Sequence, residues 1–185
     1  DPTNYEPFIL VSILLSLALV PILLTKRSAP KFKKIGTMSI KELYIISPLG
    51  SLSSFCTGII HGGFFSLIAF YATKANFNLF ETSILLFIST ISGVLGQWPI
   101  GYFSDKYDRR LIIVITTFSA AILALFSILT SNDPIENIYW LSEMHFKKIF
   151  FFIFVGMYTS FCLPLFSLNL AHTNDFVSKD QFVAA

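Results

Sequence analysis

Long apolar runs, each close to twenty residues, alternate with short polar segments along this chain. Five runs stand out, at about 7–24, 49–72, 79–103, 111–130 and 149–168. A helix needs roughly 20 apolar residues to cross the hydrocarbon core of a bilayer. None of the runs carries Asp, Glu, Lys or Arg in its central part. Backbone amides in lipid must be paired within their own segment, so the runs are predicted to be helices. The two-residue alternation of a membrane barrel is absent. The pattern therefore predicts an all-α, polytopic helical membrane protein with about five transmembrane helices.

The segments between runs read as turns. Residues 25–48 form the longest, with Pro30, Gly36 and Pro48; 73–78 is a tight polar turn, and 104–110 a charged one. Residues 131–148 contain Asp133-Pro134, which stops a helix, and Tyr139-Trp140, which suit a membrane interface. Basic residues fall unevenly. Lys26, Arg27, Lys31, Lys33, Lys34, Lys41, Lys106, Arg109, Arg110 and Lys179 lie on one side, against Lys74, Lys147 and Lys148 on the other. This split predicts that the first and third loops and the tail are cytoplasmic. Lys147 and Lys148, at a helix start, can snorkel to the headgroups.

Composition agrees. The 185 residues are 54% hydrophobic and 13% charged, where soluble domains carry about 25% charged residues. The mean hydropathy is +0.70, and 21 Phe suit lipid-facing helices. A net charge of +2 argues against a nucleic-acid partner. Cys56 and Cys162 both sit inside apolar runs, which suggests small apolar side chains rather than a disulfide framework or metal ligands. The first residue is Asp, and the first run has neither a basic leader nor a small-residue cleavage site. It reads as a span in a chain that began earlier, so the sequence is expected to be a piece of a longer protein.

The segment Gly101-Tyr102-Phe103-Ser104-Asp105-Lys106-Tyr107-Asp108-Arg109-Arg110 lies between two predicted spans. It resembles the signature loop of the major facilitator superfamily, G-x-x-x-D-[RK]-x-G-[RK]-[RK], at Gly101, Asp105, Lys106, Arg109 and Arg110. Asp108 stands where the common pattern has Gly. The run Gln97-Trp98-Pro99-Ile100-Gly101 and the later Ala171-His172-Thr173-Asn174-Asp175 are similar to an uncharacterised, YcaD-like bacterial branch of that family. The resemblance implies helices six to ten of a twelve-helix fold: residues 1–24 as helix six, 25–48 as the cytoplasmic central linker, and 49–185 as helices seven to ten and the start of eleven. It further implies a secondary active transporter of a small solute, working by alternating access in the inner membrane.

On that reading the signature residues form a conformational latch. Gly101 is expected to let its helix approach a neighbour closely. Asp105 is expected to accept hydrogen bonds at the start of an adjacent helix, and Arg109 and Arg110 to pair with acids or helix C-termini. A solvated basic loop explains Lys106, Arg109 and Arg110 equally well, but not their joint spacing with Gly101 and Asp105.

The second and fifth spans are implied to line the central cavity. In the second, Ser54, Thr57, His61 and Phe65 recur at helical spacing and share one face. An ionisable residue within a span usually faces the bundle interior or a water-filled path. His61 suits a relay for a coupling proton, or, alternatively, a hydrogen bond that only packs a neighbouring helix. In the fifth, Tyr158 offers a hydroxyl to a substrate or packs as an aromatic, and Pro164 is a kink site. Two stripes of small residues, Gly58 with Gly62 and Ser89 with Gly93 and Gly96, are assigned to helix packing.

Two other functions compete with this reading. A membrane enzyme would use His172 and Asp175 as an acid–base pair, but H-E-x-x-H, G-x-S-x-G and phosphate-binding glycine loops are absent, and no cofactor or metal spacing is present. A non-transporting membrane scaffold or receptor-like subunit would need no polar face within a span.

Overall fold

The computed structural model describes residues 5–25, 39–130 and 141–177, with side chains in the last stretch from Lys147 onward. Tyr139, Trp140, Asp133-Pro134, Lys179 and the basic residues 26–34 lie outside the described residues. The chain divides into two units, Asp1–Lys34 and Ile35–Ala185.

The first unit contains α1, Glu6–Leu23. Its hydroxyls turn inward on the helix itself: Ser12 Oγ donates to the Phe8 carbonyl at 2.8 Å and Ser16 Oγ to the Ser12 carbonyl at 2.9 Å. A serine satisfied in this way can sit in an apolar helix without an outside partner. Its 18 residues reach about 27 Å at 1.5 Å per residue, the lower end of spanning length.

The second unit contains α2 (Ile40–Ile46), α3 (Pro48–Lys74), α4 (Leu79–Lys106), α5 (Arg109–Thr130), α6 (Leu141–Cys162) and α7 (Pro164–Asn174). Among the described residues, four helical stretches are long and apolar enough to cross a membrane: α3, α4, α5, and Lys147–Asn174 running through α6 and α7. The protein is thus an all-α, multi-pass membrane protein.

Local chemistry sets the helix ends. Pro48 begins α3 at a position where its missing N–H costs nothing. Asn76, at φ 57°, turns the chain between α3 and α4. Asn78 then caps α4: its Oδ1 accepts from Glu81 N at 2.8 Å, and Glu81 Oε2 accepts from Asn78 N at 2.9 Å.

One boundary differs from the sequence reading. The charged turn is shorter than 104–110, because α4 continues through Lys106 and α5 restarts at Arg109. Asp108, the departure from the signature, explains the restart: its Oδ1 accepts from the Arg110 amide at 2.9 Å, the bond an N-cap makes. In the fifth run the expected kink falls at Pro164, and the chain stays helical through Leu163, at φ −63° and ψ −38°. The ladder is interrupted at Pro164, whose ring nitrogen has no hydrogen to donate.

Within this unit α6 is the central element. It packs most extensively on α5 and α4, while α7 packs on α3. One core cluster joins Ile68, Ala72, Phe77, Leu85, Phe151 and Val155; the other joins Ile100, Ile113, Leu165 and Leu168. Outside these clusters the large apolar side chains point outward, from Phe55 on α3 to Trp98 on α4 and Phe118 on α5. A helix that is apolar all round suits lipid or further helices.

The two small-residue stripes separate. A Cβ added to Gly96 would overlap the Ser160 carbonyl, and one on Gly93 would overlap the Leu163 side chain. These two glycines let α4 close on the α6–α7 break, and Ser89 beside them is fully buried. Gly58 and Gly62, expected to pack a neighbour, meet nothing within 4 Å among the described residues, and the same holds for Gly101. The small-xxx-small spacing permits close approach without requiring it.

Candidate functional site

The signature residues converge on one guanidinium. Arg109 opens α5 with its side chain four-fifths buried. Its Nη1 donates to Asp175 Oδ2 at 2.7 Å, to Asp175 Oδ1 at 2.8 Å and to the Ala171 carbonyl at 2.9 Å. Its Nε donates to Ser104 Oγ at 3.1 Å, and its Nη2 to Asp105 Oδ1 at 3.3 Å. One side chain thereby ties the end of α4, the start of α5 and the C-terminus of α7 together. The electrostatics are complementary. The last carbonyls of α7 carry partial negative charge, Asp175 adds a full one, and the cation lies against both.

Each signature residue takes a definite part. Asp105 is mostly exposed and accepts from Arg109 rather than from the start of another helix. Among the described residues Arg110 pairs with no acid; its guanidinium lies 5.5 Å from the ring centre of Phe176, just beyond α7. Lys106 turns away, donating to the Tyr102 hydroxyl and lying 4.2 Å from that ring's centre. His172 is buried with its ring 5.0 Å from Phe176, and Asp175 is held by Arg109, so the two do not form a free acid–base pair. Ser104 and Asp175 were not among the expected latch residues. Chain topology held the signal: one membrane crossing and one return separate Arg109 from Asp175, which places both at the same end of the bundle.

The residues expected to line a cavity are dispersed. Thr57 is buried and accepts from Asn169 Nδ2 at 3.0 Å. His61 Nε2 lies 3.0 Å from the Cys162 carbonyl; a carbonyl only accepts, so Nε2 carries the proton. Both side chains bridge α3 to α6 and α7. Ser54 is half-buried, and Phe65 is exposed with its ring edge-on to Phe64 at 5.3 Å. Of the five, Tyr158 alone lines the groove of about 390 Å³ between α3, α5 and α6, with Phe64, Tyr71, Ser127 and Phe151 among its walls. Its hydroxyl accepts from Cys162 Sγ at 3.4 Å. Asn169, which the sequence reading did not single out, is the most buried amide of the bundle's polar seam.

At the other end of α4, Lys148 Nζ lies 2.7 Å from Glu81 Oε1 and 4.8 Å from the ring centre of Phe77. Lys148 therefore joins α6 to the α4 cap, which accounts for a lysine on the sparsely basic side. Both side chains keep about a quarter of their surface exposed, so the pair is expected to contribute no more than about 1 kcal/mol. A double-mutant cycle of Lys148→Met and Glu81→Gln, read by thermal unfolding, checks this value; a coupling above about 2 kcal/mol would contradict it.

A family model described as Major Facilitator Superfamily matches residues 5–181. The chain is 23% identical over 176 residues to a protein of Escherichia fergusonii named "Uncharacterized MFS-type transporter YcaD", covering 94% of this chain and 41% of that relative. It is 26% identical over 102 residues to the protein of that name in Escherichia coli strain K12, covering 54% of this chain and 27% of the relative. The chain thus spans about two-fifths, or less, of the length of these relatives. No solved structure matches. The multi-pass helical bundle and the signature segment agree with a family match over nearly the whole chain, and the chain belongs to the major facilitator superfamily.

Proposed function

We propose that this chain is helices six to ten of a twelve-helix secondary transporter, of the YcaD-like branch, that carries a small solute across the inner membrane by alternating access. The observation that carries the reading is the Arg109 clamp. It holds three helix ends with five hydrogen bonds from one side chain. It lies on the side that the basic-residue split makes cytoplasmic. A contact of this kind is bistable: made, it fixes α7 against α4 and α5; broken, it frees α7 to move. The length of the relatives supports a second half that supplies the rest of the cavity wall.

The test is uptake by the full-length protein in proteoliposomes across a broad solute panel. At least one solute is expected to accumulate. Asp105→Asn and Asp175→Asn are expected to reduce its transport while membrane insertion stays intact, with the larger loss at Asp175, the closer partner of Arg109. Normal uptake in both variants would sink the latch. A well-folded protein that moves no solute would favour the scaffold reading.

A further inference from the structure

The break between α6 and α7 is held from two sides. Pro164 cannot donate to the carbonyl four residues back, Ser160, and that carbonyl rests against Gly96 of α4, where no Cβ intervenes. The last carbonyls of a helix that stops have no partner within it. For Cys162 the partner comes from α3, through His61 Nε2 at 3.0 Å. One turn back toward the start of α3, Thr57 meets Asn169 beyond the break at 3.0 Å. His61 and Thr57 thus grip the chain on either side of Leu163.

The seam below this grip is incompletely paired. Among the described residues, Ser47 Oγ, Asn169 Oδ1 and Asn174 Oδ1 are buried with no hydrogen-bond partner. Ser47 belongs to the foot of α3, and the two asparagines to α7. Exchanging the oxygen and nitrogen of the Asn169 amide would leave an unpaired donor instead of an unpaired acceptor. A buried polar atom without a partner favours any state in which water reaches it. These unpaired atoms weaken the packing of α7 in the bundle.

We propose that α7 is a hinged segment turning at Leu163–Pro164, and that His61 is the positioning residue that holds the hinge closed through the Cys162 carbonyl. The inference rests on the transport reading only for what the motion serves. In its closed position α7 presents Asp175 to Arg109; swung away, it breaks that clamp and exposes Asn169.

Cys162 reports on the hinge directly, since its thiol is buried beside Tyr158. The experiment follows its alkylation by N-ethylmaleimide in the full-length membrane-embedded protein, with every other cysteine replaced by serine. His61→Ala is expected to speed labelling roughly fivefold, the opening expected from loss of one buried hydrogen bond. His61→Gln, which keeps a donor, is expected to restore slow labelling. So is Pro164→Ala added to His61→Ala, because the amide restored at 164 pairs the Ser160 carbonyl, straightens the helix and brings the Phe166 amide to the Cys162 carbonyl. Unchanged labelling in His61→Ala, failure of the glutamine rescue, or equal acceleration at a Ser127→Cys reporter in the α5–α6 contact would overturn the proposal. Should His61→Ala not assemble, Pro164→Ala alone carries the test: slower labelling supports the hinge, and unchanged or faster labelling contradicts it. Transport is not the readout, so a protein that labels as expected but moves no solute keeps the hinge and loses the transporter reading.

Discussion

Arg109→Ala is expected to lower the thermal stability of the bundle by about 2 kcal/mol, because no other side chain replaces its five hydrogen bonds. The Asp175 carboxylate is half exposed, so part of the pair's strength is screened, which keeps the value from rising further. The loss has two sources. The Ala171 carbonyl loses one of its two donors and keeps only the Asp175 amide at 3.2 Å. Asp175 is left at the C-terminus of α7, where the helix dipole disfavours a carboxylate. Arg109→Lys is expected to recover less than half of the loss, since an ammonium keeps the charge but cannot reach Ser104, Asp105 and Asp175 in one geometry. Thermal unfolding in detergent reads all of these variants. Equal stability of the wild type and Arg109→Ala would show that the clamp adds nothing to the folded state.

Gly96→Ala is expected to be as damaging by a different route. The added methyl would overlap the Ser160 carbonyl, which is backbone and cannot rotate away. α4 and α6 must then separate, at a cost of about 3 kcal/mol, the upper end for overpacking. Gly93→Ala meets the Leu163 side chain, which can shift, so a smaller loss is expected there. Gly62→Ala meets nothing among the described residues and is expected to leave stability unchanged or raise it by up to about 1 kcal/mol, as alanine favours the helix. The order Gly96, Gly93, Gly62 in unfolding temperature checks this account; a Gly62 variant as unstable as the Gly96 variant would contradict it.

How much was readable from the residues depended on the range of the physics involved. The spans were legible because length and apolarity are properties of each segment alone. α3, α4 and α5 begin and end within a few residues of the runs that predict them. The signature was legible as a set of residues, since its spacing is local. Its wiring was not. Nothing near Arg109 in the chain names Asp175 as its main partner, 66 positions away. The helical character of the segment was hidden as well, because Asp108 in place of glycine caps a helix instead of opening a turn.

The cavity residues show the same limit more sharply. Ser54, Thr57, His61 and Phe65 do share a helical face, but a face is a direction and not a destination. Thr57 and His61 turn toward Asn169 and the broken end of α6, whereas the groove takes Phe64 and Tyr158. Likewise Gly58 and Gly62 have the spacing of a packing stripe with no neighbour on it among the described residues, while Gly93 and Gly96 have both. Only Pro164 declared its effect in advance, since a missing N–H acts within its own helix.

The most direct test of the central claim is the distance between spin labels on Tyr107, in the turn beside the clamp, and on Leu170 of α7, both exposed, in the full-length protein in lipid. The account predicts two distances in the wild type, for clamp made and clamp broken, and a shift toward the longer one in Arg109→Ala. A single distance, identical in the wild type and in Arg109→Ala, would contradict it.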